Sequence, residues 1–285
     1  MENLDLVARA VVNGFLIGLH NSPARGLSAE FAENRPYSPG DDPRLLDWKM
    51  YGRSDRLFVK QFEEETNLRA FLALDVSESM GWRSDPVRLV TKLDYARLLA
   101  ACVALLLAQQ GDATSLITFA GTTLSKLPPR MSRSHWRRIT RQLEDLTAGG
   151  TTHAGPVLSD LASGLRRRSL VTLITDLLVD VRETREAVKL LRHRGHDVII
   201  LHIMDPGERE LPPSGDAVFF DPETGAELAA NSAALRSRYG EAVQEAVSSW
   251  RRGALAQGAD YALMTTDTPP GLALRQFLSR RLRLR

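Results

Sequence analysis

Asp75, Ser77 and Ser79 stand at alternate positions directly after the apolar run Leu68-Arg-Ala-Phe-Leu-Ala-Leu74. One carboxylate and two hydroxyls on a short loop all offer hard oxygen. That donor set suits Mg²⁺ or Mn²⁺ far better than Zn²⁺. A second apolar run, Leu170-Val-Thr-Leu-Ile-Thr175, also ends on a carboxylate, Asp176. Between them lies Thr147-Ala-Gly-Gly-Thr-Thr-His153, a loop able to bring Thr151 or Thr152 to the same place. Asp75, Ser77, Ser79, Thr151 and Asp176 together make a cation site in which two carboxylates balance a divalent ion and neutral hydroxyls leave it electrophilic. The alternative is that both aspartates cap helices and the hydroxyls close local turns.

Such a site requires parallel strands, because only then do both aspartates leave the sheet at one edge. The pattern supplies them. Near-continuous apolar runs at 68–74, 170–175 and 197–203 read as buried strands, and 113–120 and 261–265 complete the set. Helical stretches separate them: 93–110, 134–146, 155–168, 182–194 and 233–257, with a last helix after Pro269-Pro270. Alternating strands and helices predict an α/β fold, a doubly wound, mostly parallel sheet with helices on both faces. Ligands in such sheets collect beyond the carboxyl ends of the strands. A hairpin is expected over 217–228, turning at Pro222-Glu-Thr-Gly225.

Residues 1–66 differ in character. Leu4 to Leu19 is an apolar helix with a polar stripe of Asp5, Arg9 and Asn13, too short to cross a bilayer about 30 Å thick. The turn clusters 20–26 and 37–43 follow, and Leu45–Gly52 and Arg56–Phe62 have the residue types of short strands. The expected division is a helix and β-rich extension at 1–66 and an α/β domain at 67–285.

The 285 residues carry a formal net charge of +2, which argues against a dedicated nucleic-acid binder. The lone Cys102 lies in an apolar helix and permits no disulfide framework, so a cytoplasmic setting is expected. No His-Glu-x-x-His, P-loop or Gly-x-Ser-x-Gly motif is present, which removes zinc hydrolysis, P-loop nucleotide binding and the serine-hydrolase elbow. Arginines at 130–141, 166–168 and 280–285 are expected to form solvated faces, with contact to anionic lipid or to an acidic partner as the alternative.

Asp75-Val-Ser-Glu-Ser-Met80, Gly149-Gly-Thr-Thr152 and Ile174-Thr-Asp176 resemble the three segments of a von Willebrand factor A domain's metal-ion-dependent adhesion site. The resemblance implies that Asp75, Ser77, Ser79, Thr151 and Asp176 hold the metal, some through water. Leu177 departs from the pattern, since many members have Gly there. Arg35-Pro-Tyr-Ser-Pro-Gly-Asp-Asp-Pro-Arg-Leu-Leu-Asp-Trp48, with Arg53 and Glu65, is similar to the bacterial family called domain of unknown function 58. That resemblance implies a partnership with a MoxR-type AAA+ ATPase.

Asp41, Asp42 and Asp47 are candidates for a second acidic or partner-facing patch, although Asp in a Pro-Gly turn commonly bonds its own backbone. Trp48 is expected to be packed. His153 adjoins the proposed metal loop and is expected to anchor it. The expectation is therefore a non-enzymatic, metal-dependent adaptor whose cation accepts an acidic side chain from a protein partner, the MoxR-type ATPase or its client. The alternatives are a phosphoester hydrolase using Asp75 and a scaffold with a vestigial site.

Overall fold

The computed structural model describes residues 3–20, 34–37, 46, 48–60, 68–211, 215–220 and 225–283. The chain forms two units, one of residues 1–19 and 68–285, the other of residues 20–67. The chain opens with α1 (Leu4–His20). In the smaller unit, β1 (Asn34–Pro36) precedes α2 (Trp48–Ser54), and β2 (Phe58–Lys60) pairs antiparallel with β1.

The larger unit runs β3 (Arg69–Asp75), α3 (Lys92–Gln109), β4 (Ala113–Phe119), β5 (Thr123–Arg130) and α4 (Arg133–Glu144). It continues with α5 (Ala154–Gly164), β6 (Ser169–Thr175), α6 (Val181–His193) and β7 (Asp197–Met204). The hairpin β8 (Asp216–Phe220) and β9 (Glu227–Asn231) leads to α7 (Ser232–Ala256), β10 (Asp260–Thr265) and α8 (Pro270–Arg283). The central sheet has six strands in the order β10-β7-β6-β3-β4-β5, parallel except for the β4–β5 pair. This is the α/β, doubly wound, mostly parallel architecture expected from the sequence.

Side chains alternate across a strand, and the core follows that period. Ala70, Leu72 and Leu74 of β3 join the buried cluster with α1, α3, α4 and α8, while Phe71 and Ala73 join the opposite cluster with α5, α6 and α7. Helix α3 packs against β3, β4, β6 and β7, which is why it is apolar almost all round. The order of connection reverses at β3: the chain passes first to β4 on one side and then to β6 on the other. A crevice is expected beyond such a reversal. The register sets Leu74 opposite Ile174, so Asp75 and Thr175 reach the carboxyl edge side by side.

Two expectations fail outside the sheet. Helix α1 groups with the α/β unit rather than with an extension ending at residue 66. Its apolar stripe is the reason: Leu4, Ala8 and Val12 are buried in the core beside α3 and α4, and the Leu4 N–H donates to Glu144 at 2.7 Å. Residues 48–54 are helical rather than extended. Trp48 and Tyr51, three apart, meet edge-on at 6.3 Å, and Ser54 Oγ donates to the Met50 carbonyl at 2.9 Å. Both are helical spacings that override the strand-like residue types. Trp48, expected to be packed, is 63% exposed. Among the described residues no helix is long and apolar enough to cross a membrane.

Candidate functional site

Strand β3 delivers Asp75 to the carboxyl edge fully buried. Its Oδ1 accepts the Ser77 N–H at 2.9 Å, and its Oδ2 accepts the Thr175 hydroxyl at 2.6 Å. The first bond folds the chain back on itself; the second joins β3 to β6. A 3-10 turn over Glu78–Gly81 then brings the buried Ser77 and Ser79 hydroxyl oxygens to 3.1 Å from each other.

The loop before α5 closes onto this turn through the backbone. Gly149 N–H donates to the Val76 carbonyl at 2.8 Å, and Glu78 N–H donates to the Gly150 carbonyl at 2.9 Å. Gly150 has φ +81°, in the left-handed region that glycine adopts without a Cβ clash. Gly81 is equally constrained, because a Cβ there would lie 2.9 Å from the Ala148 Cβ. Beyond the loop, the His153 N–H donates to the Ala120 carbonyl at 3.1 Å, a backbone bond that does not involve the imidazole. Thr151 is exposed and Thr152 buried. Thr151 Oγ1 lies 3.6 Å from where a Gly121 Cβ would stand, which places it against the turn after β4.

Asp176, one residue past the end of β6, accepts the Leu178 N–H on Oδ1 at 3.2 Å. Its Oδ2 lies 2.8 Å from the ammonium of Lys92, the first residue of α3, and both side chains are 1% exposed. The same ammonium contacts Glu208 Oε1. Glu208 belongs to the turn after β7, where its Oε2 accepts the Asp205 N–H at 2.8 Å in a capping box. Asp205, buried, accepts from Gly207 N–H at 2.8 Å, Ser84 N–H at 3.2 Å and Thr266 Oγ1 at 3.3 Å. The Trp82 ring centre lies 6.0 Å from the Lys92 ammonium.

Lys92 and Glu208 escaped sequence reasoning. Lys92 looks like an ordinary polar start to an apolar helix; the only hint is a cation bordering a stretch as apolar as Leu93 to Leu107. The candidates Asp41, Asp42 and Asp47 lie outside the described residues.

Burial and neighbouring charge together set the ionisation of these groups. Burial, then the nearby charge of Asp176, pushes the Asp75 carboxyl up to about 7, against the hydrogen bonds from Thr175 and Ser77. Burial alone would lower Lys92, but Asp176 and Glu208 outweigh it and hold the ammonium above its ordinary value. Burial raises Glu208 despite Lys92. His202 of β7 is driven down to about 4 by burial, and its Nδ1 meets the Tyr261 hydroxyl at 2.7 Å. Cys102 is buried with its thiol pushed up to about 12, so it is a core residue rather than a nucleophile.

The residues fit a hard divalent ion. Asp75 feels the charge of Asp176 at the same strand edge, and the Ser77 and Ser79 hydroxyls, bonded to each other, keep further lone pairs for a ligand. No cluster of three His, Cys, Asp or Glu placed for a metal occurs among the described residues, so hydroxyls and water would complete the shell.

Residues 33–248 match the family described as protein of unknown function DUF58. The chain belongs to that family. An uncharacterized protein of Mycobacterium tuberculosis (strain ATCC 25618 / H37Rv) is 28% identical over 228 residues, covering 79% of this chain and 70% of that one. Among solved structures, an aerotolerance-related membrane protein from Bacteroides fragilis is similar with a TM-score of 0.50 and 18% identity, over 75% of this chain and 99% of that one. A von Willebrand factor type A protein from Catenulispora acidiphila gives 0.46 at 12% identity, over 78% of this chain and 42% of that one. At 18% identity the likeness to the Bacteroides fragilis structure is one of fold alone.

Proposed function

We propose that this DUF58 chain is a protein-interaction module whose docking end is the carboxyl edge of the central sheet, with Mg²⁺ or Mn²⁺ forming part of the docking surface. The observation that carries this reading is the stitching of three sequence-distant segments at one edge. Gly149 to Val76 and Glu78 to Gly150 join the first two through the backbone, and Thr175 to Asp75 joins the third. Asp75, Ser77, Ser79, Thr151 and Asp176 would hold the cation. Bound there, it would offer an acidic side chain of the partner a Lewis-acidic contact.

The protein's own residues define the rest of the surface. Trp82, Val87 and Val90 follow β3, and Leu178 and Val181 follow β6, so exposed apolar side chains leave the same edge as the acidic site. Val87 is 91% exposed and Leu178 59%, an arrangement that suits a partner able to cover them. The family resemblance suggests a MoxR-type AAA+ ATPase or its client as that partner, and the buried lone Cys102 agrees with a cytoplasmic setting.

The hydrolase alternative is weaker. Asp75 is buried with both oxygens already accepting hydrogen bonds, which leaves it poorly placed as a nucleophile. Pull-down of the ATPase by the full chain, with Mg²⁺ and with a chelator, tests the adaptor reading. Capture with Mg²⁺ that is lost on chelation is expected; equal recovery in both rejects metal-dependent docking.

A further inference from the structure

The proposed site contains a cation of its own. The Lys92 ammonium is seated on Asp176 Oδ2 at 2.8 Å and also contacts Glu208 Oε1. We infer that Lys92 is a tethered competitor for the divalent ion, giving up Asp176 when that ion arrives and resting then on Glu208 alone. This rests on the reading of Asp176 as a cation ligand.

Three observations support the exchange. A buried ammonium must keep a carboxylate partner, because an unpaired charge in the interior is strongly destabilising. Glu208 provides one and is fixed in place. Its other oxygen accepts the Asp205 N–H, and Asp205 is held by Gly207, Ser84 and Thr266. A Cβ on Gly207 would lie 2.3 Å from the Ser84 Cβ, so the turn carrying Glu208 packs directly on the segment leading into α3. The charges also close: a divalent ion on Asp75 and Asp176, with the ammonium on Glu208, sets three positive charges against three carboxylates. The ammonium can therefore stay inside while the ion binds. Lys92 acts as a positioning residue, setting how readily Asp176 is released.

The test is Mn²⁺ titration by calorimetry of the full chain, as wild type, Lys92→Met and Glu208→Gln. Lys92→Met is expected to bind Mn²⁺ at least about tenfold more tightly than wild type, since the competing charge is gone. Glu208→Gln is expected to bind about tenfold more weakly, since the ammonium is confined to Asp176. The Lys92 Nζ NMR resonance of the wild type is expected to move on adding Mg²⁺, a response that a purely structural lysine would not give. Binding by Lys92→Met where wild type shows none also supports the inference. Wild-type binding that Lys92→Met does not strengthen overturns it and leaves the metal site standing. Absence of binding by both removes the metal site and the inference together. If Lys92→Met does not fold, unchanged or tighter binding by Glu208→Gln overturns the exchange.

Discussion

Lys92 and Asp176, 84 positions apart, form an ion pair of 2.8 Å at the carboxyl edge of the sheet, each side chain 1% exposed. Such a pair contributes less to stability than its geometry suggests, because desolvation offsets attraction. Breaking it is another matter. Lys92→Ala strands Asp176 and Glu208 without their cation and should cost about 3–5 kcal/mol in urea unfolding under chelating conditions. A loss below about 1 kcal/mol would mean that water reaches both carboxylates.

Asp75 gives the metal-free protein a pH dependence of defined sign. Its folded value of about 7 stands above the ordinary carboxyl value of 3.8, so the protonated form is favoured by folding. That stability is fully present below pH 4 and is lost as pH rises through about 7. Asp75→Asn, with chelator present, should therefore melt higher than wild type at pH 8, while the gap closes at pH 5. The amide retains an acceptor for the Ser77 N–H. A variant that melts lower than wild type at both pH values would contradict the sign.

A divalent ion should stabilise the folded chain by mass action. At a free concentration ten times Kd the gain is about 1.4 kcal/mol, a melting shift of about three degrees for a protein of this size. Asp75→Ala should abolish the shift with Mg²⁺ and Mn²⁺ alike. A shift that survives in that variant would place the ion elsewhere.

Leu177 replaces the glycine that the von Willebrand factor A resemblance leads one to expect after Asp176, yet it has φ +57°. A left-handed Leu costs about 1–2 kcal/mol. The side chain compensates, because it is buried in the cluster with Leu158, Leu161 and Val188, and its N–H donates to Thr175 Oγ1 at 3.1 Å. Leu177→Ala keeps the strain and loses the packing, a cost of about 2–5 kcal/mol. Leu177→Gly loses the packing but also the strain, so it should be the milder variant by about 1 kcal/mol. Chemical denaturation of both checks the order, and a glycine variant less stable than the alanine one would contradict it.

The chain's own pattern determined the sheet, the helices that cover it and the two aspartates at strand ends. Those are local facts: near-continuous apolar runs at β3 and β6, buried on both faces, that stop at a carboxylate. Parallel strands then oblige Asp75 and Asp176 to share an edge. Which partners those carboxylates keep was decided only in three dimensions. Lys92 and Glu208 lie 116 positions apart and meet because α3 and the turn after β7 start from neighbouring parts of one edge, and no spacing in the sequence encodes that meeting. The helix at 48–54 was equally hidden, since its residue types favour a strand and only contacts at helical spacing mark the turn. Helix α1 likewise reveals in its amphipathic stripe that it must cover something apolar, but only the packing of Leu4, Ala8 and Val12 beside α3 and α4 says what. Hydrophobic periodicity is written along the chain, whereas charge pairing depends on distances that folding alone creates.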